Sequence, residues 1–256
     1  MRRKGGILLS EEYLEAQRIS LRIASEVDPP RFYSEKEEEV EASRAALELH
    51  PMSRSVRELV EQRGDRLGHG MAHVLKVAVD AGALVLIEGK ACGEGESGER
   101  TLLLAHLAGL LHDIRRDEPD HALKGAEEAE AILQGFALED GERKAIVQAI
   151  RNHEAFKPVM PLEDPSLQVL SDALYDADKF RWGPDNFTET LWSMLSPFRM
   201  PLEALLRNFL PRMEGIRRIA ETFRTPTGKV YGPDFIARGL EIGEKLYQEL
   251  AGMYGI

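Results

Sequence analysis

The chain has 256 residues, 43% of them hydrophobic and 30% charged, with a formal net charge of −11. This is the composition of a globular protein long enough to build a full core. The acidic balance excludes a general nucleic-acid binder, which needs a basic face to release phosphate counterions. The single cysteine, Cys92, excludes an internal disulfide and fits a reducing cytoplasm.

The basic start, Met1 to Gly6, is followed only by Ile7-Leu8-Leu9, too short for a signal-peptide core. Ser10 with Glu11 and Glu12 reads as a helix cap with acids in the first turn. Leu14, Ile19, Leu21 and Ile23 extend an apolar stripe to about Val27, where Asp28-Pro29-Pro30 stops it. Ser34 to Leu49 is a second helix with an acidic, solvated face, and residues 1–52 together read as an N-terminal helical extension.

A core domain is expected over 53–182. It opens with a helix from Ser53 to Gln62, followed by an apolar helix from Met71 to about Ile87. The glycine-rich stretch Gly89–Gly98, which holds Cys92, reads as a loop. Further helices follow at Glu99–Asp113, His121–Gln134, Asp140–His153 and Ser166–Phe180. Beyond Gly183-Pro184, residues 183–256 read as helices packing on the core: 187–196, 201–224 bent at Pro211, and 233–253 after a Thr-Pro-Thr-Gly turn at 225–228. No period-two alternation, fixed repeat or membrane-length apolar run interrupts this pattern, so the expected class is all-α without a membrane span.

The residues that carry chemistry cluster along the central part. His112-Asp113 closes a leucine-rich helix (Leu103, Leu107, Leu110, Leu111) and faces a buried seam. Burying imidazole beside carboxylate is costly without a partner, and a divalent cation suits both groups. His69 and His73 stand four apart, hence on one helical face. His121 opens the next helix, His153 ends the one after, and Asp176 and Asp178 lie in Tyr175-Asp176-Ala177-Asp178-Lys179-Phe180. His106 reads as a core histidine.

This order of residues resembles the HD-domain superfamily of metal-dependent phosphohydrolases. His73-Val74-Leu75-Lys76-Val77-Ala78 is similar to the family's first-histidine segment. Residues 101–116 are similar to its doublet helix, and Asp176-Ala177-Asp178-Lys179 to its terminal D-x-D-[KR] run. The resemblance implies an HD-domain-like helical core with His73, His112, Asp113 and Asp178 as ligands of one cation, and Lys179 as a phosphate-contacting base. His121-Ala122-Leu123-Lys124-Gly125-Ala126 and Ile150-Arg151-Asn152-His153 match a second layer. There His121 and His153 hold a second ion or line the pocket. The Gly-Tyr-Pro signature of the cyclic-dinucleotide branch is absent.

The chemistry that follows is attack of a metal-activated water on a phosphoester of a nucleotide or related small molecule. Asp113 bridges the ions, and Mn, Fe, Co, Ni or Zn suits the mixed nitrogen and oxygen donors better than Mg, though Mg is compatible. Arg116, Lys124, Arg151 and Lys179 are candidates for neutralising phosphate charge, and His69 for a pocket or supporting role. Phe180, Trp182 and Trp192 read as core packing ahead of ring stacking. Two other readings compete: a nucleotide-binding regulatory module with weak or no catalysis, and a di-iron oxygenase on the same ligands. A homodimer is compatible with all three.

Overall fold

In a computed structural model of the chain, residues 11–63, 70–92, 97–195 and 200–256 are described, with Cys92 and Ser97 described by their backbone alone. The expected Ser10 cap lies outside these residues. Every regular element among them is helical, which is the all-α class expected.

Two helices form the centre. α5 (Met71–Cys92) and α6 (Ser97–Leu111) are apolar on nearly every side, the mark of helices surrounded by others. They pack along each other, and Val77, Ala78, Leu84, Leu104, Leu107 and Leu110 are closed off from solvent. Gly109 sets their approach, because a Cβ there would stand 2.5 Å from the Cα of Ala78. The expected Gly89–Gly98 loop is therefore shorter than the sequence suggested. α5 runs through Gly89 to Cys92, although glycine costs a helix interior roughly 1 kcal/mol.

Around this pair stand α7 (His121–Leu133), α8 (Asp140–Arg151) and α9 (Gln168–Phe180), the last seated on α5 and entered through a 3-10 turn at Pro165–Leu167. On the N-terminal side, α1 (Glu11–Ser25) lies on α13 (Pro226–Tyr254), while α3 (Glu37–Leu49) lies on α5 and α4 (Pro51–Arg63) on α6. The second expected helix is split, because Lys36 (φ −124°, ψ 27°) separates a short α2 (Phe32–Glu35) from α3.

The C-terminal part departs most from expectation. A π-turn (Asn186–Thr190) leads into the short α10 (Leu191–Leu195). The expected 201–224 helix is two helices, α11 (Leu202–Arg207) and α12 (Phe209–Ile219), parted at Asn208. Pro211 falls in the first turn of α12, where a missing N–H costs nothing.

α13 starts at Pro226 instead of 233 and passes through Pro233 unbroken. Its start is secured from outside: Thr225 caps the helix by accepting from the Gly228 N–H at 2.7 Å, with Pro226 at the first helical position. Asp176 on α9 in turn accepts from the Arg224 N–H, the Thr225 N–H and the Thr225 hydroxyl, each at 2.8 Å. One hydrophobic cluster runs from Tyr13 to Leu250, so the flanking helices share the central core. Among the described residues no helix is long and apolar enough to cross a membrane.

Candidate metal centre

Five elements bring the ligand-type residues together. His73 stands in the first turn of α5, and His112 and Asp113 in the tight turns that follow α6. His121 begins α7, His153 follows α8, and Asp178 lies near the end of α9. The doublet is thus outside the helix that the sequence assigned it to. Successive turns, with the Ile114 N–H donating to Leu111 O and the Arg116 N–H to Asp113 O, carry the chain away from α6. Asp120, in the left-handed region at φ 55°, reverses it into α7, a conformation that aspartate tolerates.

The donor atoms form two groups that share one residue. In the first, His73 Nε2 and His112 Nε2 are 3.2 Å apart and lie 3.4 and 3.7 Å from Asp178 Oδ1. Asp113 Oδ2 completes this group, 3.7 Å from His73 Nε2 and 3.5 Å from His112 Nε2. In the second, His121 Nε2 and His153 Nε2 are 3.3 Å apart, and Asp113 Oδ1 is 3.8 and 3.5 Å from them. Each oxygen of Asp113 therefore faces a different pair of imidazoles.

These spacings of 3.2–3.8 Å lie at or a few tenths of an ångström above those of metal ligation. Donors about 2.1 Å from a common ion sit about 3.0–3.4 Å apart in octahedral or tetrahedral arrangements. The ring orientations fit ligation. His112 Nδ1 is 2.7 Å from Gly109 O and His153 Nδ1 is 2.6 Å from Ile150 O. Donation to those carbonyls fixes the proton on Nδ1 and leaves the Nε2 lone pair directed into the group, the usual support for a ligating histidine.

The electrostatics agree. Burial opposes a charged His112, yet Asp113 and Asp178 outweigh it and raise its pKa, so the cluster draws in positive charge. Burial would raise Asp178, but Lys179 and the hydrogen bonds from His112 and His73 hold it well below the carboxylate range. Burial, helped by His153 and Arg116, pushes His121 down to about 4 and keeps it neutral, as a ligand must be.

A cavity of about 770 Å³ opens onto the cluster, lined at that end by His73, Asp113, His121, His153, Asp178 and Lys179. Of the other residues expected at the site, Arg116 lines the cavity and donates from Nη1 to His121 Nε2 at 2.8 Å. Lys179 lines it too, its Nζ 2.5 Å from Asp178 Oδ2. Lys124 and Arg151 are not among the lining residues: Lys124 pairs with Glu118 at 3.0 Å, and Arg151 is exposed at the end of α8. His69 lies outside the described residues. Trp182 lines the cavity, whereas Phe180 and Trp192 are fully buried in the core.

Three features had no signal in the sequence. Asp176 anchors the start of α13, as described above. Arg181, buried at the cavity edge, pairs with Asp80, with the Tyr33 hydroxyl at 2.6 Å and with Asp185 at 2.5 Å. It stands two positions after Lys179, but Asp80 lies 101 residues away and Tyr33 farther still. The far wall of the cavity, drawn from 186–219, likewise comes from helices that the sequence marked only as packing.

Comparison with known proteins gives three results. Residues 70–182 match the family model described as HD domain. A solved structure from an uncultured Thermotogales bacterium, described as a predicted HD superfamily hydrolase, is 21% identical. The match covers 80% of this chain and 96% of that one, with a TM-score of 0.48. No curated protein matches.

Proposed function

This chain belongs to the HD-domain superfamily, and from that premise we propose that it is a metal-dependent phosphohydrolase acting on a small-molecule phosphoester. The observation that supports this reading best is the division of Asp113. Its Oδ2 and Oδ1 lie within 3.8 Å of two separate histidine pairs, the arrangement that a two-ion site requires.

His73, His112, Asp178 and Asp113 Oδ2 would hold one divalent ion, and His121, His153 and Asp113 Oδ1 a second. Bound there, such ions lower the pKa of a water and polarise a phosphoryl oxygen. The protein's own groups do the rest. Asp113 fixes the two histidine pairs relative to each other. Lys179 holds Asp178 in place from the side facing the cavity, where its ammonium meets phosphate charge. Arg116 reaches the cluster from the same run of turns that carries His112 and Asp113, with a planar guanidinium suited to bidentate contact with phosphate oxygens. Lys124 and Arg151, away from the lining, take no part in this account.

The test is phosphate release from a panel of phosphoesters by Mn-loaded protein and by Asp113→Ala. We expect release by the native chain and a loss on the order of a hundredfold or more in the variant. Oxygen consumption by iron-loaded protein with no phosphate released from any ester would overturn the proposal in favour of an oxygenase.

A further inference from the structure

The cavity is chemically lopsided. Most of its ionisable groups, among them His73, Asp113, Arg116, His121, Asp178 and Lys179, lie at the end that holds the cluster, and Arg212 lies on the other wall. The opposite wall, from the π-turn through α12, presents residues such as Phe187, Leu191, Leu205, Phe209, Met213 and Ile216. Asn186, Thr190 and Arg212 are the polar side chains along that stretch. A site that reads a nucleobase places donors and acceptors against its edges, because unpaired polar groups in a buried site are what reject the wrong ligand. This wall offers few of them.

It also carries Met194, Met200 and Met213, whose unbranched thioethers adapt to a flexible aliphatic shape better than to a rigid planar ring. A space of about 770 Å³ is the size of a small-molecule pocket, not a packing gap. Its edge holds an additional sign of use. Phe156 lines the cavity, is 56% exposed and sits in the left-handed backbone region at φ 62°, with the Arg218 guanidinium 4.8 Å from its ring centre. A bulky residue in that conformation is strained, and such strain collects at binding sites.

We infer that the cavity takes a phosphate monoester of an apolar alcohol, a medium-chain alkyl or isoprenyl phosphate, with its phosphate at the cluster and its tail along α10 to α12. The inference rests on the phosphohydrolase reading and narrows it, setting the nucleotide aside. Hydrolysis of such an ester forms one P–O bond from water and breaks the ester P–O bond. The departing alcohol takes up the proton that the water loses, leaving alcohol and inorganic phosphate.

The test combines binding with turnover. Calorimetric titration of Mn-loaded protein with methyl-, butyl- and octylphosphonate, which cannot be hydrolysed, should show affinity rising about fourfold per added methylene until the cavity fills. AMP should bind more weakly than octylphosphonate. Affinity independent of chain length, or AMP binding the tighter, overturns the inference.

Two substitutions on the apolar wall check its location. Gly215 lines the cavity and a Cβ added there meets no atom within 4 Å, so the position has room for a side chain, and Gly215→Phe brings bulk to the wall. Met194 is 39% exposed, so Met194→Lys can bring a charge to the wall at little cost in folding. Each should reduce the octyl-to-methyl affinity ratio about tenfold; an unchanged ratio in both overturns the assignment. Phosphate release from AMP and none from octyl or geranyl phosphate would keep the phosphohydrolase reading and remove this one. Chain-length-dependent binding with no release from any ester would do the reverse.

Discussion

Arg116 places its guanidinium against His121 Nε2, the same lone pair that a second ion would use. The two demands compete, so filling the second group displaces Arg116 and leaves it available to a phosphate. Arg116→Gln should therefore raise affinity for the second ion while increasing KM for substrate. Metal titration that finds second-ion affinity unchanged or weaker would contradict this. His106 shows the opposite use of an imidazole. It is enclosed by the core, its Nε2 lies 3.0 Å from the Ser43 hydroxyl, and burial, with a small push from His50, takes its pKa down to about 3.

The sign of the pH effect follows. The unfolded chain protonates this histidine near its ordinary 6.5 and the folded chain does not until about 3. Between those values the unfolded state binds the extra proton, so stability falls as pH drops, by up to about 1.4 kcal/mol per unit. Urea denaturation of the native chain and of His106→Gln at pH 7 and pH 5 should show a shallower loss in the variant. Equal losses would show that His106 does not titrate in this way.

At the scale of elements, two junctions decide where the site residues stand. The Gly109–Ala78 crossing sets α5 against α6, and with it His73 against His112. Gly109→Ala should cost about 1–3 kcal/mol in denaturant unfolding and weaken metal binding with it; full retention of both would mean that the crossing has slack. The second junction is Asp176 with the start of α13. Removing the cap with Thr225→Ala should cost about 1 kcal/mol. Asp176→Ala should cost more, because it strands buried N–H donors.

The same two junctions show what the sequence could and could not reveal. His73, the doublet and Asp178 were legible because each sits in a short local pattern: a histidine at a helix start, a doublet after a leucine stripe, an aspartate before a lysine. Asp176 stands in the same short run as Asp178, yet its partners Arg224 and Thr225 lie 48 and 49 residues on, and no local pattern points to them. Pro233 suggested a boundary because local rules forbid proline inside a helix. The anchor that starts α13 seven residues earlier is tertiary. Lys124 and Arg151 show the converse: each stands beside a motif histidine in the sequence, yet neither is among the residues that line the cavity.

Across the whole molecule, the cluster ties α5, α8, α9 and the turns flanking α6 and α7 to one point, within a core that the terminal helices complete. Ions bound there would stabilise the entire fold. Stripping metal with a chelator should lower the melting temperature, and Mn at about a hundred times its Kd should restore about 2.7 kcal/mol. The net charge of −11 favours cation capture in general, so the site-specific part is the portion lost in Asp113→Ala. A chelator-induced shift of equal size in that variant would place the stabilising ions elsewhere.

The most direct measurement is the anomalous scattering of crystals grown with Mn. One peak is expected within the set His73 Nε2, His112 Nε2, Asp113 Oδ2 and Asp178 Oδ1, and a second between Asp113 Oδ1, His121 Nε2 and His153 Nε2. Crystals with Mn bound elsewhere, and no density among these six side chains, would contradict that expectation.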